Sequence, residues 1–243
     1  MSFGAAFLAA AGVAALGAGL VLNRWFQAAF HADDGLGRQI SWQAFGLGMA
    51  AFLVAGAAQN LLVAPVAIAI HGVAGVRHLV PFSAPEALYY GFAAGLAQEG
   101  MKLLFLWLYG RRSRRWVPHA VLFGTGFAVM EVVFVSLGAF RAPLITGTML
   151  LVPVWERVSA TLFHIGSTLF IAYGLEKRHV WRYAILAVLL HTVLDGAVSL
   201  MRMLHVQAVL TFETANFVYS ALVVLTAVKW ALSLRQTAAA ATG

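Results

Sequence analysis

Residues 3–22 read FGAAFLAAAGVAALGAGLVL, a run of 20 residues without a charged side chain. At 1.5 Å of rise per residue, a helix of this length crosses the roughly 30 Å hydrocarbon layer of a bilayer. The run lacks a preceding basic region and is longer than the hydrophobic region of a typical signal peptide. We therefore predict that it forms the first transmembrane helix.

Apolar stretches of similar length recur along the whole chain. Hydrophobic residues make up 62% of the 243 residues and charged residues only 10%, whereas soluble domains are roughly 45–50% apolar and 25% charged. The composition predicts an all-α, polytopic transmembrane helical bundle of about seven helices. Residues 1–243 are expected to form a single integral membrane domain with a frayed tail at 234–243. We predict helices at 3–22, 41–66, 86–109, 117–139, 148–175, 181–200 and 206–232.

The basic residues predict the orientation of the bundle. The formal net charge is +7, but most Lys and Arg residues lie at the ends of apolar runs, so membrane lipid is the expected partner and nucleic acid is not. With an outside N-terminus, the inner side collects Arg24, Arg38, residues 111–115, Lys177, Arg178, Arg182 and Arg235, whereas the outer side has Arg77, Arg141 and Arg202. We predict a cell-membrane protein with the N-terminus outside and the C-terminus in the cytoplasm.

Four consecutive predicted helices carry ionisable residues near their midpoints. Each such residue costs about 2.5–3.5 kcal/mol to insert, so it needs a structural or functional reason. Counting residues from the helix ends places Glu99, Glu131, His164 and His191 in the middle third of the bilayer. The sequence therefore predicts a polar layer on the helices within 86–200.

The spacing of these residues indicates which side chains share a helix face. Glu99 and Lys102 are three residues apart, and His191 and Asp195 are four apart, so each pair lies on one face. On the fifth helix, one polar stripe that must avoid lipid contains Arg157, Thr161, His164 and Thr168. Interhelical polar pairs worth about 0.6 kcal/mol could explain any one residue, but such small gains would not offset several insertion costs.

Glycine pairs favour close helix packing. Gly91 and Gly95 form a GxxxG spacing, and Gly124 and Gly126 precede Glu131 on the fourth helix. No Lys-Ser/Thr follows these glycines, so they do not form a phosphate-binding loop.

Carboxylates and two histidines from separate helices suit two kinds of hydrolysis. A glutamate can activate water while a histidine stabilises the oxyanion, or both histidines and a carboxylate can bind a metal. The HExxH motif of soluble zinc peptidases is absent, and the chain has no cysteine that could serve as a nucleophile.

Three short segments resemble motifs of a known family. Residues 98–102 (QEGMK), 127–131 (FAVME) and 191–195 (HTVLD) resemble the EExxK, FxxxE and HxxxD motifs of PrsW-type peptidases, in the superfamily of CAAX-processing and bacteriocin-processing proteases. Glu156 and Arg157 followed by His164 make the chain most similar to the YhfC branch of putative intramembrane metalloproteases or glutamic-type peptidases. The resemblance implies an intramembrane peptidase that acts on a membrane-embedded or membrane-associated peptide.

The first motif departs from the family pattern at Gln98. The first glutamate of EExxK is taken as the water-activating base in related enzymes, and an amide cannot accept that proton. The base must then be Glu99 or Glu131. We expect Glu99, since Lys102 can keep it ionised, with Glu131 sharing or holding the water.

The remaining expected site residues have supporting roles. Asp195 would hold His191, and His164 would serve as oxyanion donor or as a ligand. No cofactor is favoured. Zinc is the alternative, with His164, His191 and Glu131 as its ligands.

Two observations favour the metal-free interpretation. The histidines come from different helices without a tight ligand spacing, and Lys102 near Glu99 would repel a dication. A proton-coupled transporter or channel that uses the same residues as a relay is the alternative from another class, although no inverted repeat is evident.

Overall fold

The computed structural model describes residues 3–30, 36–75, 81, 83–113, 116–139, 148–204 and 208–240. Within these ranges the chain forms seven α-helices and no strand, which confirms the predicted all-α polytopic bundle. The helices are α1 (Phe3–Phe30), α2 (Leu36–Gly75), α3 (Ala84–Ser113), α4 (Val117–Ala139), α5 (Thr148–Glu176), α6 (Val180–Met203) and α7 (Val209–Ala240).

Within the described residues, six helices are long and apolar enough to cross a membrane, which makes this an integral membrane protein. Helix α3 is the one outside this set, because its 30 residues include Glu86, Gln98, Glu99 and Lys102. It nevertheless lies inside the bundle between α2 and α6. The Tyr89 hydroxyl donates to the Leu62 carbonyl of α2 at 2.8 Å.

Neighbouring helices alternate in direction along the chain. Gly91 of α3 contacts Gly196 of α6 and Gly95 contacts Val188, so these two helices run antiparallel. Helices α5 and α7 run parallel, with Trp155 stacked on Phe217 near their starts and Phe170 packed against Trp230 near their ends. Helices α1, α3, α5 and α7 therefore begin at one face of the bundle, called here the N-terminal face.

Several helices extend beyond the ranges predicted from the sequence, and α1 continues to Phe30 instead of residue 22. Helix α2 has 40 residues instead of the expected 26 at 41–66, and it continues past Pro65 through residues that are still apolar. Its regular geometry is interrupted at Gly72, whose φ of 70° is one that glycine adopts without strain. Helix α7 continues to Ala240, through most of the tail expected to fray. Outside the described residues lie four arginines of the orientation argument: Arg77, Arg114, Arg115 and Arg141.

Glycines allow α3 and α6 to approach closely, as the GxxxG spacing predicted. A Cβ added at Gly91 would lie 2.5 Å from the backbone nitrogen of Gly196, and one at Gly95 would lie 2.8 Å from the Val188 carbonyl oxygen. The pair Gly124 and Gly126 also meets backbone atoms, at Ile165 and Phe45 respectively. These contacts set the distance between the helices that carry the polar residues.

Gly91→Ala is expected to destabilise the protein by about 1–3 kcal/mol, because the new methyl group would overlap backbone atoms that cannot rotate away. Thermal unfolding in detergent micelles measures the effect. Gly100→Ala is the matched control on the same helix, since nothing lies within 4 Å of a Cβ at that position. Equal unfolding temperatures for the two variants would contradict the close-packing argument.

Candidate functional site

The carboxylate of Glu99 lies at the centre of the polar layer. It is 1% exposed and projects from the middle of α3. Its Oε1 atom accepts hydrogen bonds from the Lys102 ammonium at 2.7 Å and the Ser167 hydroxyl at 3.2 Å, and it lies 2.7 Å from Nδ1 of His191. Its Oε2 atom is buried without a hydrogen-bond partner. One oxygen is therefore saturated, while the other can still accept a proton or a ligand.

The ammonium of Lys102 joins α3 to α5. The side chain is fully buried, and Nζ donates to Glu99 Oε1 at 2.7 Å, to Ser167 Oγ at 2.9 Å and to His164 Nδ1 at 2.9 Å. It also lies 4.6 Å from the centre of the Phe127 ring. Three acceptors and an aromatic face satisfy a charge that would otherwise be costly at this depth.

The contacts of His164 assign its tautomer. An ammonium can only donate, so Nδ1 facing Lys102 must be the acceptor. Nε2 lies 2.8 Å from Oε2 of Glu131, and an ionised carboxylate can only accept, so the proton lies on Nε2. Both ring nitrogens of His164 are therefore engaged.

Helix α5 also supplies a positive charge to Glu131. NH1 of Arg157 lies 3.2 Å from Glu131 Oε1, and the same guanidinium pairs with Glu156. In the fold, Arg157 is buried and connects that pair to the site.

The imidazole of His191 lies between two carboxylates. Its Nδ1 faces Glu99 at 2.7 Å, and its Nε2 lies 3.4 Å from Oδ2 of Asp195, one turn later on α6. The ring centres of His191 and His164 are 5.6 Å apart. The six residues that the sequence singled out thus form one chain of contacts across α3, α4, α5 and α6: Glu99, Lys102, Glu131, His164, His191 and Asp195.

A narrow cavity of about 40 Å³ reaches this chain of contacts, and it extends from the two histidines toward the N-terminal face. A water molecule needs roughly 10–15 Å³ of such space, so the cavity can hold a small number of waters. Its wall includes Glu131, His164, His191 and Asp195 but not Glu99. Glu99 is connected to this wall through His191, whose Nδ1 lies 2.7 Å from Glu99 Oε1.

The four residues of the polar stripe expected on α5 are used in two ways. Arg157 and His164 take part in the site, whereas the two threonines do not. The hydroxyls of Thr161 and Thr168 donate to backbone carbonyls four residues earlier, at Arg157 and His164, so they satisfy their own helix. The sequence analysis did not single out Ser167, which bonds to both Glu99 and Lys102. Its position three residues after His164 was the signal that could have identified it.

Gln98 does not point to the site. Its side-chain amide donates to Oε1 of Gln59 on α2 at 3.2 Å. The residue that replaces the first glutamate of the family motif thus serves the contact between α2 and α3.

A second buried polar group lies near the N-terminal face, where the sequence analysis assigned nothing to His71. His71 lies outside the helix predicted at 41–66, but α2 extends through it, and its imidazole contacts Glu86 at the start of α3. The Tyr90 hydroxyl donates to the same Glu86 carboxylate at 2.5 Å. The predicted helix ended where the apolar run appeared to end. This signal fails where a helix continues into contact with polar residues of a neighbouring helix.

Three side chains could hold a metal ion in this layer. Glu99, His164 and His191 each offer a ligand atom, and these atoms lie within 4.8 Å of one another. The candidate metal ligands therefore include Glu99, where the sequence analysis predicted Glu131. The objection based on separate helices was wrong, because α5 and α6 bring the two imidazoles together. One carboxylate and two imidazoles suit zinc in type and number.

The positive charge of Lys102 disfavours the binding of a dication by these three residues. Its ammonium contacts two of the three candidate ligands, at 2.7 and 2.9 Å, and therefore occupies the space between them. A bound dication would require this lysine to move away or lose its proton.

Residues 141–216 match the model of a family described as YhfC intramembrane metalloprotease. This confirms the resemblance to the YhfC/PrsW-type peptidases over somewhat less than a third of the chain, from α5 to the beginning of α7. The matched segment carries His164, His191 and Asp195, whereas Glu99 and Glu131 lie before it. No curated protein and no solved structure was found to match the chain.

Proposed function

We propose that this protein is an intramembrane endopeptidase that hydrolyses a peptide bond of a membrane-associated protein or peptide with a water molecule activated by Glu99. The observation that carries the proposal is the buried Glu99 carboxylate, with three polar partners on Oε1 and none on Oε2. A buried acceptor without a partner is uncommon, and a catalytic role is one of its recognised explanations. The match to an intramembrane metalloprotease family supports proteolysis as the reaction.

The proposed proton transfers follow from this arrangement. Oε2 of Glu99 accepts a proton from water while the water oxygen attacks the carbonyl carbon of the scissile peptide. The same carboxyl group then gives the proton to the leaving amine nitrogen as the C–N bond breaks. Lys102 and Ser167 stabilise the ionised form of Glu99 before the attack.

The histidines would stabilise the oxyanion and position the water. His191 lines the cavity with Nδ1 on Glu99, and in this proposal its Nε2–H turns from Asp195 Oδ2, 3.4 Å away, to donate to the developing oxyanion. His164 donates its Nε2 proton to Glu131, which fixes both side chains beside the cavity. In this proposal, Glu131 accepts a hydrogen bond from the attacking water and Asp195 positions His191.

We favour a metal-free mechanism because Lys102 already supplies a positive charge between Glu99 and His164. Zinc-dependent hydrolysis is the second candidate, supported by the cluster of Glu99, His164 and His191 and by the family description. A bound zinc ion would polarise the scissile carbonyl and lower the pKa of water. Elemental analysis of the purified protein, together with cleavage assays in chelator, distinguishes the two mechanisms.

Cleavage of a membrane peptide by the purified protein in proteoliposomes tests the function itself. A proton-coupled transporter or channel would instead move protons across the vesicle membrane without peptide products. We expect peptide products and no proton flux above that of empty vesicles. Proton flux without cleavage would favour the transporter.

We also propose a cell-membrane location with the N-terminus outside, on the basis of the distribution of basic residues. The chain contains no cysteine, so single cysteines can be introduced without background labelling. A cysteine at position 111 should react with a membrane-impermeant maleimide only after the cells are permeabilised. Labelling of this cysteine in intact cells would reverse the orientation.

A further inference from the structure

The cavity beside the site carries an excess of carboxylates. Its lining residues come from α4, α5, α6 and α7, and they include four carboxylates and one guanidinium: Glu131, Glu156, Asp195, Glu213 and Arg157. The Arg157 guanidinium is already paired with Glu131 and Glu156. Asp195 and Glu213 therefore face the cavity without an arginine or lysine of their own among its lining residues.

Glu213 is the residue that indicates a ligand. It is the fifth residue of α7 and is only 6% exposed. Its Oε2 atom is buried without a hydrogen-bond partner, although the side chain lines the cavity. The carboxylate is hydrogen-bonded to the Asn216 side chain, but a buried carboxylate oxygen without a partner is unfavourable, and a cation that enters the cavity would satisfy it.

The distance between His191 and the far end of the cavity fits a substrate side chain that lies close to the scissile bond. The cavity wall on α6 runs from His191 to Val198, seven residues or about 10 Å along the helix. An extended peptide covers this length in about three residues. A peptide with its scissile bond at His191 would thus place a side chain up to three positions away beside Asp195 and Glu213.

The size of the cavity favours a compact charged group. About 40 Å³ is enough for an ammonium group, which is close to a water molecule in size. The aliphatic part of a lysine side chain can lie along the apolar wall formed by Ala160, Leu194 and Val198.

We infer that the cavity between Asp195 and Glu213 is a specificity subsite for a lysine side chain of the peptide substrate, within about three residues of the scissile bond. This inference rests on the proposed peptidase function. The lysine ammonium supplies the partner that Oε2 of Glu213 lacks, so this contact should favour substrates that carry it.

The test uses two membrane peptides that are identical except for one position near the mapped cleavage site, where one has lysine and the other has methionine. Both are cleaved in proteoliposomes, and kcat/KM is measured for each. We expect the parent protein to prefer the lysine peptide by at least about tenfold, since pairing a buried charge is worth this much or more. In Glu213→Gln, we expect the preference to fall below about threefold, with little change for the methionine peptide.

Two further variants complete the experiment. Glu86→Gln is the matched control, because it makes the same change in a buried glutamate that does not line the cavity, and it should keep the lysine preference. Glu213→Lys should disfavour the lysine peptide and favour a third peptide that carries glutamate at the same position.

The outcomes separate the subsite from the proposed function. Equal cleavage of the lysine and methionine peptides by the parent protein would overturn the subsite alone, as would a lysine preference that survives in Glu213→Gln. Equal loss of both cleavages in a folded Glu213→Gln protein would assign Glu213 to catalysis instead. Failure of the parent protein to cleave any peptide would overturn the proposed function and the subsite with it.

Discussion

Glu99→Gln is expected to lower kcat/KM for cleavage of a membrane peptide by about 10²- to 10⁴-fold, the range that general acid–base catalysis contributes. Glutamine keeps the size and one acceptor oxygen of the side chain, but it cannot take a proton from water at neutral pH. The measurement is cleavage in proteoliposomes, with thermal unfolding recorded in parallel because the substitution leaves Lys102 without its carboxylate.

The control for this variant is again Glu86→Gln, on the same helix and about 20 Å away along its axis. It should cleave peptide at close to the parent rate. If folded Glu99→Gln retains activity within about threefold of the parent, Glu99 is not the base. Glu131, which lines the cavity, would then be the next candidate.

Lys102→Met is expected to destabilise the protein by about 3–5 kcal/mol, because it leaves the buried Glu99 carboxylate without its cation. The double variant Glu99→Gln/Lys102→Met should recover most of this loss, since both charges are then removed together. Thermal unfolding of the four proteins in detergent micelles gives the coupling energy. Lys229→Met on α7 is the control, because that lysine is exposed and should tolerate the change.

The same variant tests the metal-free mechanism. Without the Lys102 ammonium, the candidate ligands Glu99, His164 and His191 become available to a dication. Zinc should therefore stabilise Lys102→Met, by about 2.7 kcal/mol when its free concentration is 100 times Kd, and should leave the parent unchanged. Stoichiometric zinc in the purified parent, lost together with activity in His164→Ala, would establish the metal-dependent mechanism instead.

The seven helices could be predicted because each apolar run is a local property of the chain. A run of about 20 residues without charges satisfies its backbone hydrogen bonds in lipid only as a helix. The helix ends were harder to predict. Helix α2 is 14 residues longer than expected, and its nine residues past residue 66 include His71, which contacts Glu86 of α3, so this extension depends on packing as well as on hydropathy.

The sequence also identified six residues of the candidate site. Glu99, Lys102, Glu131, His164, His191 and Asp195 stood out because charges and histidines are costly in the middle of apolar helices. This signal identifies only residue types that are rare in such helices. Ser167 and the cavity-lining Asn216 were not identified by it, because short polar side chains are common there and can bond to their own backbone.

An all-α membrane bundle, the position of its charged residues near the helix midpoints and the two pairs that lie on single helices, Glu99 with Lys102 and His191 with Asp195, followed from the sequence alone. These follow from hydropathy, rise per residue and helical periodicity. The folded bundle was needed to find that Lys102 lies between Glu99 and His164, that Arg157 pairs with Glu131, and that Glu213 lines the cavity. Such contacts join residues from different helices, and they depend on the rotation and lateral packing of each helix, which close approaches such as that of Gly91 to Gly196 determine.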